Sequence, residues 1–353
     1  MRIPSKGSLM CNLACLLTSV GLDVRLKPHP AWQSSLDFCT QAQREMILLD
    51  YYNVILKDVL ESRLKGGKRD ALDMTVVDFD GVTYYISTPE SKTVLHISLQ
   101  WACFSELVSH GADQILQREY GQYLASSPDQ GFDLTLVFDM EKIPEDTETR
   151  DAIIRQVSLL KRNLLAAPFE RAFAEQEQYE DADKPNPTSE LMAVHYRSEE
   201  AIYIKSSFDR VTVIFSTKFK DETDKIFGKV FLQEFVDARR RPNLQNAPQV
   251  LYTTREPPME LRHLNLPDTN DISYVTFVLF PQHFTKGDVR EETISRIQIF
   301  RDYLHYHIKC SKAYMHTRMR ARVRDFLKVL NRAKPENVNV EKKTASGRTF
   351  RRS

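Results

Sequence analysis

Two acidic residues in the run Val76-Val77-Asp78-Phe79-Asp80-Gly81-Val82 have the type and spacing for phosphoryl transfer. In such a pair the first carboxylate attacks phosphorus and the second handles the proton. That chemistry needs a strand, then a loop, then a helix. Here Asp80-Gly81 lies between two β-rich runs, the short-range signal for a tight hairpin, and no convincing Lys or paired-Asp motif follows. A hairpin is therefore expected. His305-x-His307-x-x-Cys310 has metal-ligating residue types. Residues two apart on a helix face different sides, so His305 and His307 cannot share one ion. An exposed or interfacial histidine pair is expected, and Cys310 has no spacing-defined partner for thiol chemistry. There is no phosphate loop, dinucleotide glycine fingerprint or His-Glu-x-x-His motif. No catalytic residue, metal ligand or cofactor is expected.

The elements around these residues follow from periodicity. Apolar residues at helical spacing (Ile47, Leu48, Tyr51, Ile55, Val59) predict a helix that stops at Gly66-Gly67. Residues 74–79, 82–86, 94–99 and 132–138 read as strands, and 104–120 and 152–165 as helices, the second interrupted by Pro168. A short helix over 169–179 and a polar linker with Pro185 and Pro187 come next. Strands are predicted over 191–196, 201–204, 211–217, 249–254 and 272–280, with a helix over 221–241.

The order repeats, and so do residues at a fixed offset of 118. Tyr85 matches Tyr203, Ile86 matches Ile204, Leu95 matches Val213, Ile97 matches Phe215, Ser98 matches Ser216 and Trp101 matches Phe219. The expected fold class is α+β. Two tandem related modules, 46–167 and 168–288, would each be a mostly antiparallel sheet with packed helices. A long C-terminal helix over 289–334 would close the second module and project, followed by a disordered basic tail over 335–353. Residues 1–45 imitate a signal peptide through Arg2, Lys6 and the apolar stretch at 9–20. Cys11, Asn12, Cys15 and Thr18 break that stretch, and no cleavage site follows. A disordered extension, or an upstream translation artefact with the true start at Met46, is expected.

Composition excludes whole classes. The chain has 353 residues, 42% of them hydrophobic and 27% charged, with a net charge of +1. That is an ordinary globular composition, and no apolar run is long enough to span a membrane. The five cysteines are odd in number, so a disulfide framework is not expected and a reducing compartment is. The even charge balance hides an asymmetry: residues 309–353 hold 14 Lys+Arg against 3 Asp+Glu.

The 289–334 stretch contains no Pro or Gly and would be about 69 Å long if continuous. That is more than two modules can bury. Its apolar seam runs Ile297, Phe300, Leu304, Ile308, Met315, Met319, Phe326 and Leu330, with Arg322-Val323 crossing it. The first half can pack on the module, and the second half needs a partner helix. Around the seam sit Lys309, Lys312, Arg318, Arg320, Arg322, Arg324 and Lys328, while residues 309–334 hold only Asp325 as an acid. So lopsided a face predicts docking to an acidic protein surface or to nucleic acid.

The run Phe300-Arg301-Asp302-Tyr303-Leu304-His305-Tyr306-His307-Ile308-Lys309-Cys310-Ser311-Lys312-Ala313-Tyr314, followed by His316-Thr317-Arg318-Met319-Arg320, resembles the C-terminal helix of the subunit 2 family of the actin-related protein 2/3 complex. Further matches are Asp78-Phe79-Asp80-Gly81, His110-Gly111-Ala112-Asp113, Asp209-Arg210-Val211-Thr212-Val213, Arg255-Glu256-Pro257-Pro258 and Phe326-Leu327-Lys328-Val329-Leu330-Asn331-Arg332. Met46-Ile47-Leu48-Leu49 resembles the start of typical members, so the resemblance runs from Met46 to the C-terminus. It implies a cytoplasmic scaffold of the actin cytoskeleton, not an enzyme. Two modules of one fold would form the core of a multi-subunit assembly with subunit 4, their long C-terminal helices packed together. The assembly nucleates branched actin filaments, and the basic face would touch the side of the existing filament. The alternative is a nucleic-acid-binding protein that uses the basic helix. It lacks interleaved aromatic stacking platforms and any known docking motif.

Overall fold

A computed structural model describes residues 49–67, 70–181, 189–238, 247–264, 266, 271–334, 342–343 and 349–350. The sequence expectations for 1–45 and for most of the 335–353 tail fall outside them. The chain divides into two units, one ending at His305 and the other beginning at Tyr306.

The first unit opens with α1 (Val54–Leu64), capped by Asn53, whose Oδ1 accepts the Leu56 N–H at 2.9 Å. Then come β1 (Asp73–Val77), β2 (Thr83–Ser87) and β3 (Val94–Gln100). Helices α2 (Phe104–Ser109) and α3 (Ala112–Tyr120) lead to β4 (Leu134–Asp139). The four strands form an antiparallel sheet in sequential order. Three of its strands bury residues at alternate positions: Tyr84 and Ile86 on β2; Leu95, Ile97 and Leu99 on β3; Leu134, Leu136 and Phe138 on β4.

Helices α4 (Thr147–Ser158) and α5 (Leu160–Asp181) connect to the second sheet. It comprises β5 (Met192–Arg197), β6 (Glu200–Ser206), β7 (Val211–Lys218), β8 (Gln249–Thr254) and β9 (Ile272–Leu279), with α6 (Glu222–Ala238) between β7 and β8. The strand order is β5-β6-β7-β9-β8, all antiparallel. Here β7 and β9 are buried almost throughout, because both faces are covered. Ala201, Tyr203, Ile214 and Tyr274 pack with Leu261 in one cluster. A second cluster joins Phe215, Phe277 and Phe300, with ring centroids 4.8 to 5.9 Å apart. Phe300 opens α8 (Phe300–Ala333), which follows α7 (Asp288–Gln298).

The two sheets share an element order: three strands, helix, strand, helices. The second adds β8 at its edge. At the offset of 118, the partner pair Ile86–Ile97 should recur as Ile204–Phe215. Instead Ile204 pairs with Val213, and Phe215 pairs with Ile202. The register has slipped by two residues, the smallest shift that keeps every side chain on its own face.

Four expected boundaries differ. The first helix begins only at Val54, after its cap Asn53, so Tyr51 lies outside it. The helix over 104–120 is split at Gly111, whose φ of 102° suits glycine. Pro168 does not interrupt its helix; α5 continues through it, and the break lies at Leu159. A mid-helix proline costs about 3 kcal/mol. Leu164, Leu165, Phe169 and Phe173 are buried around it, and each contributes roughly 1.5–3 kcal/mol, so burial wins. Finally, the stretch over 289–334 is not one helix: it is interrupted at Ile299, between α7 and α8.

The expected hairpin forms. Val77 pairs with Thr83, the Asp78 N–H donates to the Val82 carbonyl at 2.8 Å, and Asp80 turns the chain at φ 66°. The Asp80 carboxylate, 8% exposed, takes Lys161 of α5 at 2.9 Å and Arg197 of β5 at 2.6 Å. Arg197 also reaches Asp302 of α8 at 3.3 Å, and Arg301 pairs with Glu200 at 2.8 Å. The turn's backbone is held as well: Lys161 Nζ donates to the Phe79 carbonyl at 3.0 Å, and Trp101 Nε1 to that of Asp80 at 3.2 Å. Burial alone would raise the Asp80 pKa, but Lys161 and Arg197 outweigh it and hold the carboxyl below its ordinary value.

Asp80→Asn keeps a residue that tolerates positive φ but removes the charge shared by Lys161 and Arg197. It should destabilise the chain by about 3 kcal/mol, as expected when one partner leaves a buried ion pair. Asp78→Asn should cost under about 1 kcal/mol. Urea unfolding of the two variants side by side checks this.

Candidate functional site

The carboxylates singled out for phosphoryl transfer are already used in the fold. Asp80 is enclosed by its two cations, and Asp78 accepts from the Phe79 N–H at 2.7 Å and from Asn53 Nδ2 at 2.9 Å. A tight β-hairpin replaces the strand-loop-helix that the chemistry requires. The histidines also separate. His305 stacks on Phe219 with centroids 5.4 Å apart, His307 is buried, and Cys310 is exposed. Among the described residues no group of three His, Cys, Asp or Glu is placed to hold a metal ion, and no helix is long and apolar enough to cross a membrane.

Of the residues singled out in the sequence, those on the later part of α8 remain exposed. From Ala313 to Lys334 every residue is exposed except the half-buried Ala321. Such a helix gains little from its own packing and carries a large apolar area in water. Of the expected seam, Ile297, Phe300, Leu304 and Ile308 are buried within the chain itself, so these four are not open to a partner. The exposed remainder is Met315 (45%), Met319 (60%), Phe326 (62%) and Leu330 (42%). Val323, which the sequence reading placed only as crossing the seam, belongs on this stripe and is 56% exposed. It lies four residues beyond Met319 and three before Phe326, the spacing of one helix face. Tyr314, Leu327 and Val329 add exposed apolar surface beside it.

Charge surrounds the stripe. Lys309, Arg318, Arg320, Arg322, Arg324 and Lys328 are exposed, and Lys312 is half-buried. Arg318 is held along the helix by Tyr314: Nη1 donates to the tyrosine hydroxyl at 2.6 Å, and the guanidinium lies 5.4 Å from the ring centroid. Asp325 approaches Lys328 at 3.9 Å.

An apolar stripe bordered by cations on a long exposed helix is equipment for binding another macromolecule. Comparison with known proteins agrees in kind. The family described as "Arp2/3 complex, 34 kD subunit p34-Arc" matches residues 97–337. The chain belongs to this family. A relative from Schizosaccharomyces pombe (strain 972 / ATCC 24843), named "Actin-related protein 2/3 complex subunit 2", is 50% identical over 320 residues, covering 87% of this chain and 100% of the relative. A relative of the same name from Dictyostelium discoideum is 39% identical over 310 residues, again covering 87% of this chain and 100% of the other. For the p34-Arc family member described here, the matched region includes both the second sheet and the exposed stripe.

Two outcomes follow. Leu304→Asp should cost about 4 kcal/mol or more, because the charge enters the core. Met319→Asp and Phe326→Asp should each stay within about 0.5 kcal/mol, since the stripe contributes little to the isolated fold. Thermal unfolding of the chain alone separates the two classes.

Burial also lowers the His307 pKa from 6.5 to about 4. Between those values the unfolded chain binds the extra proton and the folded chain does not. Stability is therefore complete above pH 6.5 and falls as the pH drops toward 4, by about 3 kcal/mol. Urea midpoints at neutral and acidic pH, compared with those of His307→Gln, should show a shallower decline in the variant.

Proposed function

We propose that this p34-Arc family member is a non-catalytic scaffold and actin-filament-binding subunit of the Arp2/3 complex. In this reading it is cytoplasmic, pairs with subunit 4, and contacts the side of the filament from which a branch grows. Family membership supports the assembly. The single observation that carries the pairing is the exposed stripe Met315, Met319, Val323, Phe326 and Leu330 on a helix that does not bury it. Water-exposed apolar surface of this length is stabilised by a second helix laid along it. The body is read as two duplicated modules, 46–167 and 168–288. Their shared strand-helix order and the face-preserving register slip support that reading.

The basic residues Lys309, Lys312, Arg318, Arg320, Arg322, Arg324 and Lys328 form the cationic surface of α8, and those of them turned away from the partner helix serve an acidic filament. Single exposed pairs contribute about 0–1 kcal/mol, so the effect is collective and weakens with salt. An intact complex carrying Arg324→Glu with Lys328→Glu should bind filaments several-fold more weakly at low salt, with a flatter salt dependence. Co-sedimentation with filaments across a salt series measures this. Unchanged affinity and slope would move the filament contact to the two sheets' own surfaces.

A further inference from the structure

Two partners are assigned to one basic helix, and helical geometry separates them. This step rests on the reading that the stripe takes a helix of subunit 4. At about 100° per residue, Met315, Val323, Phe326 and Leu330 all project within about 40° of Met319. Arg322 stands about 60° and Arg318 about 100° to one side, and Arg320 about 100° to the other. Arg324 and Lys328 stand at about 140° and 180°, on the far side. Between Arg318 and Lys328 the stripe therefore has a rim of three arginines, and two further cations face away from it, while earlier on the helix Lys312 falls about 20° and Lys309 about 80° from Met319.

We infer that Arg318, Arg320 and Arg322 select the occupant of the stripe: an amphipathic α-helix of another chain whose apolar face is bordered on both sides by Asp or Glu. Residues flanking a helix-helix seam set partner choice through charge. A second copy of this chain would bring arginine against arginine. The chain's own segments are no better matched. Residues 1–48 hold five Lys+Arg against three Asp+Glu, and residues 335–353 hold five against two. A nucleic acid would neutralise the arginines but leave Met319 and Phe326 uncovered by apolar surface. An apolar centre with a charged rim is the anatomy of a protein interface. Arg324 and Lys328 remain for the acidic filament.

The test is co-expression of the full chain with the other subunits of the complex, followed by recovery of subunit 4 on the tagged chain. Three variants are compared: rim (Arg318→Glu, Arg320→Glu, Arg322→Glu), far face (Arg324→Glu, Lys328→Glu) and stripe (Met319→Asp, Phe326→Asp). Each exposed pair is worth up to roughly fivefold in affinity, so the rim variant should lose about tenfold or more in recovery. The far-face variant should stay within about twofold of wild type. Lysine substitution of the carboxylates bordering the partner's apolar face should restore the rim variant. A rim variant that assembles like wild type while the stripe variant fails would overturn charge selection and leave the pairing intact. So would a rim variant that partner lysines do not rescue. A stripe variant that assembles normally would overturn the pairing itself. If the rim variant assembles normally but sheds RNA that co-purifies with the wild type, the occupant is a nucleic acid and the proposal is wrong.

Discussion

The carboxylate of Asp80 ties the parts of the body together. It sits in a hairpin turn of the first sheet and takes its partners from α5 and from β5 of the second sheet. Through Arg197 it is linked to Asp302 in the first turn of α8. Asp80, Glu200 and Asp302 face Lys161, Arg197 and Arg301, so three negative charges meet three positive ones with little water between them. Desolvating so many ions is expensive, and the arrangement holds because each has a partner of opposite sign. The strain of the arrangement falls on Asp302, whose pKa is raised by its burial and by the charge of Asp80. A neutral, closed cluster of this kind adds less to stability than an apolar core. What it adds is connection: the six groups join the turn, α5, the second sheet and the first turn of α8.

The same tie governs the edge of the second sheet. An edge strand such as β5 presents unpaired backbone groups, and these are covered by α2. Glu106 accepts from both the backbone N–H and Nδ1 of His195, at 2.7 and 2.8 Å, and His110 Nε2–H donates to the Ala193 carbonyl at 3.1 Å. With Arg197 at the end of that strand engaged by Asp80, β5 is held along its length. The body is thereby closed to edge-to-edge association at β5, and the later part of α8 carries a continuous exposed apolar stripe. An exposed helix of several turns with a narrow apolar stripe suits a partner of the same form, since two such helices cover each other's stripes.

Much of this was legible in the residues. The tight turn at Asp80-Gly81 was readable because glycine and aspartate tolerate positive φ and the flanking runs are β-rich. Most strands lie within one or two residues of their expected bounds, because period-two burial leaves a direct trace in composition. The element order common to the two sheets was also readable, although the two-residue slip in pairing was not. Register depends on which strand ends meet, and an even slip leaves the pattern of buried residues unchanged. Pro168 misled because local propensity counts one lost hydrogen bond, whereas the apolar residues packed around α5 outweigh it.

The sequence by itself determined the turn at Asp80, the strands, the helical phase of the α8 stripe and the excess of cations around it. Each of these is set by residues close together in the chain, through backbone stereochemistry or helical periodicity. Tertiary structure alone decided which half of the seam was already consumed. Leu304 and Met319 have the same helical pattern, yet one is fully buried and the other 60% exposed. Nothing local distinguishes them. The first turn of α8 is the part that meets the second sheet, where Phe300 packs on Phe215 and Phe277 from strands far earlier in the chain. Asp80 likewise finds Arg197 across 117 positions. Contacts between residues so distant in sequence exist only once the sheets have formed, which is why the core and the exposed site had to be separated by the fold.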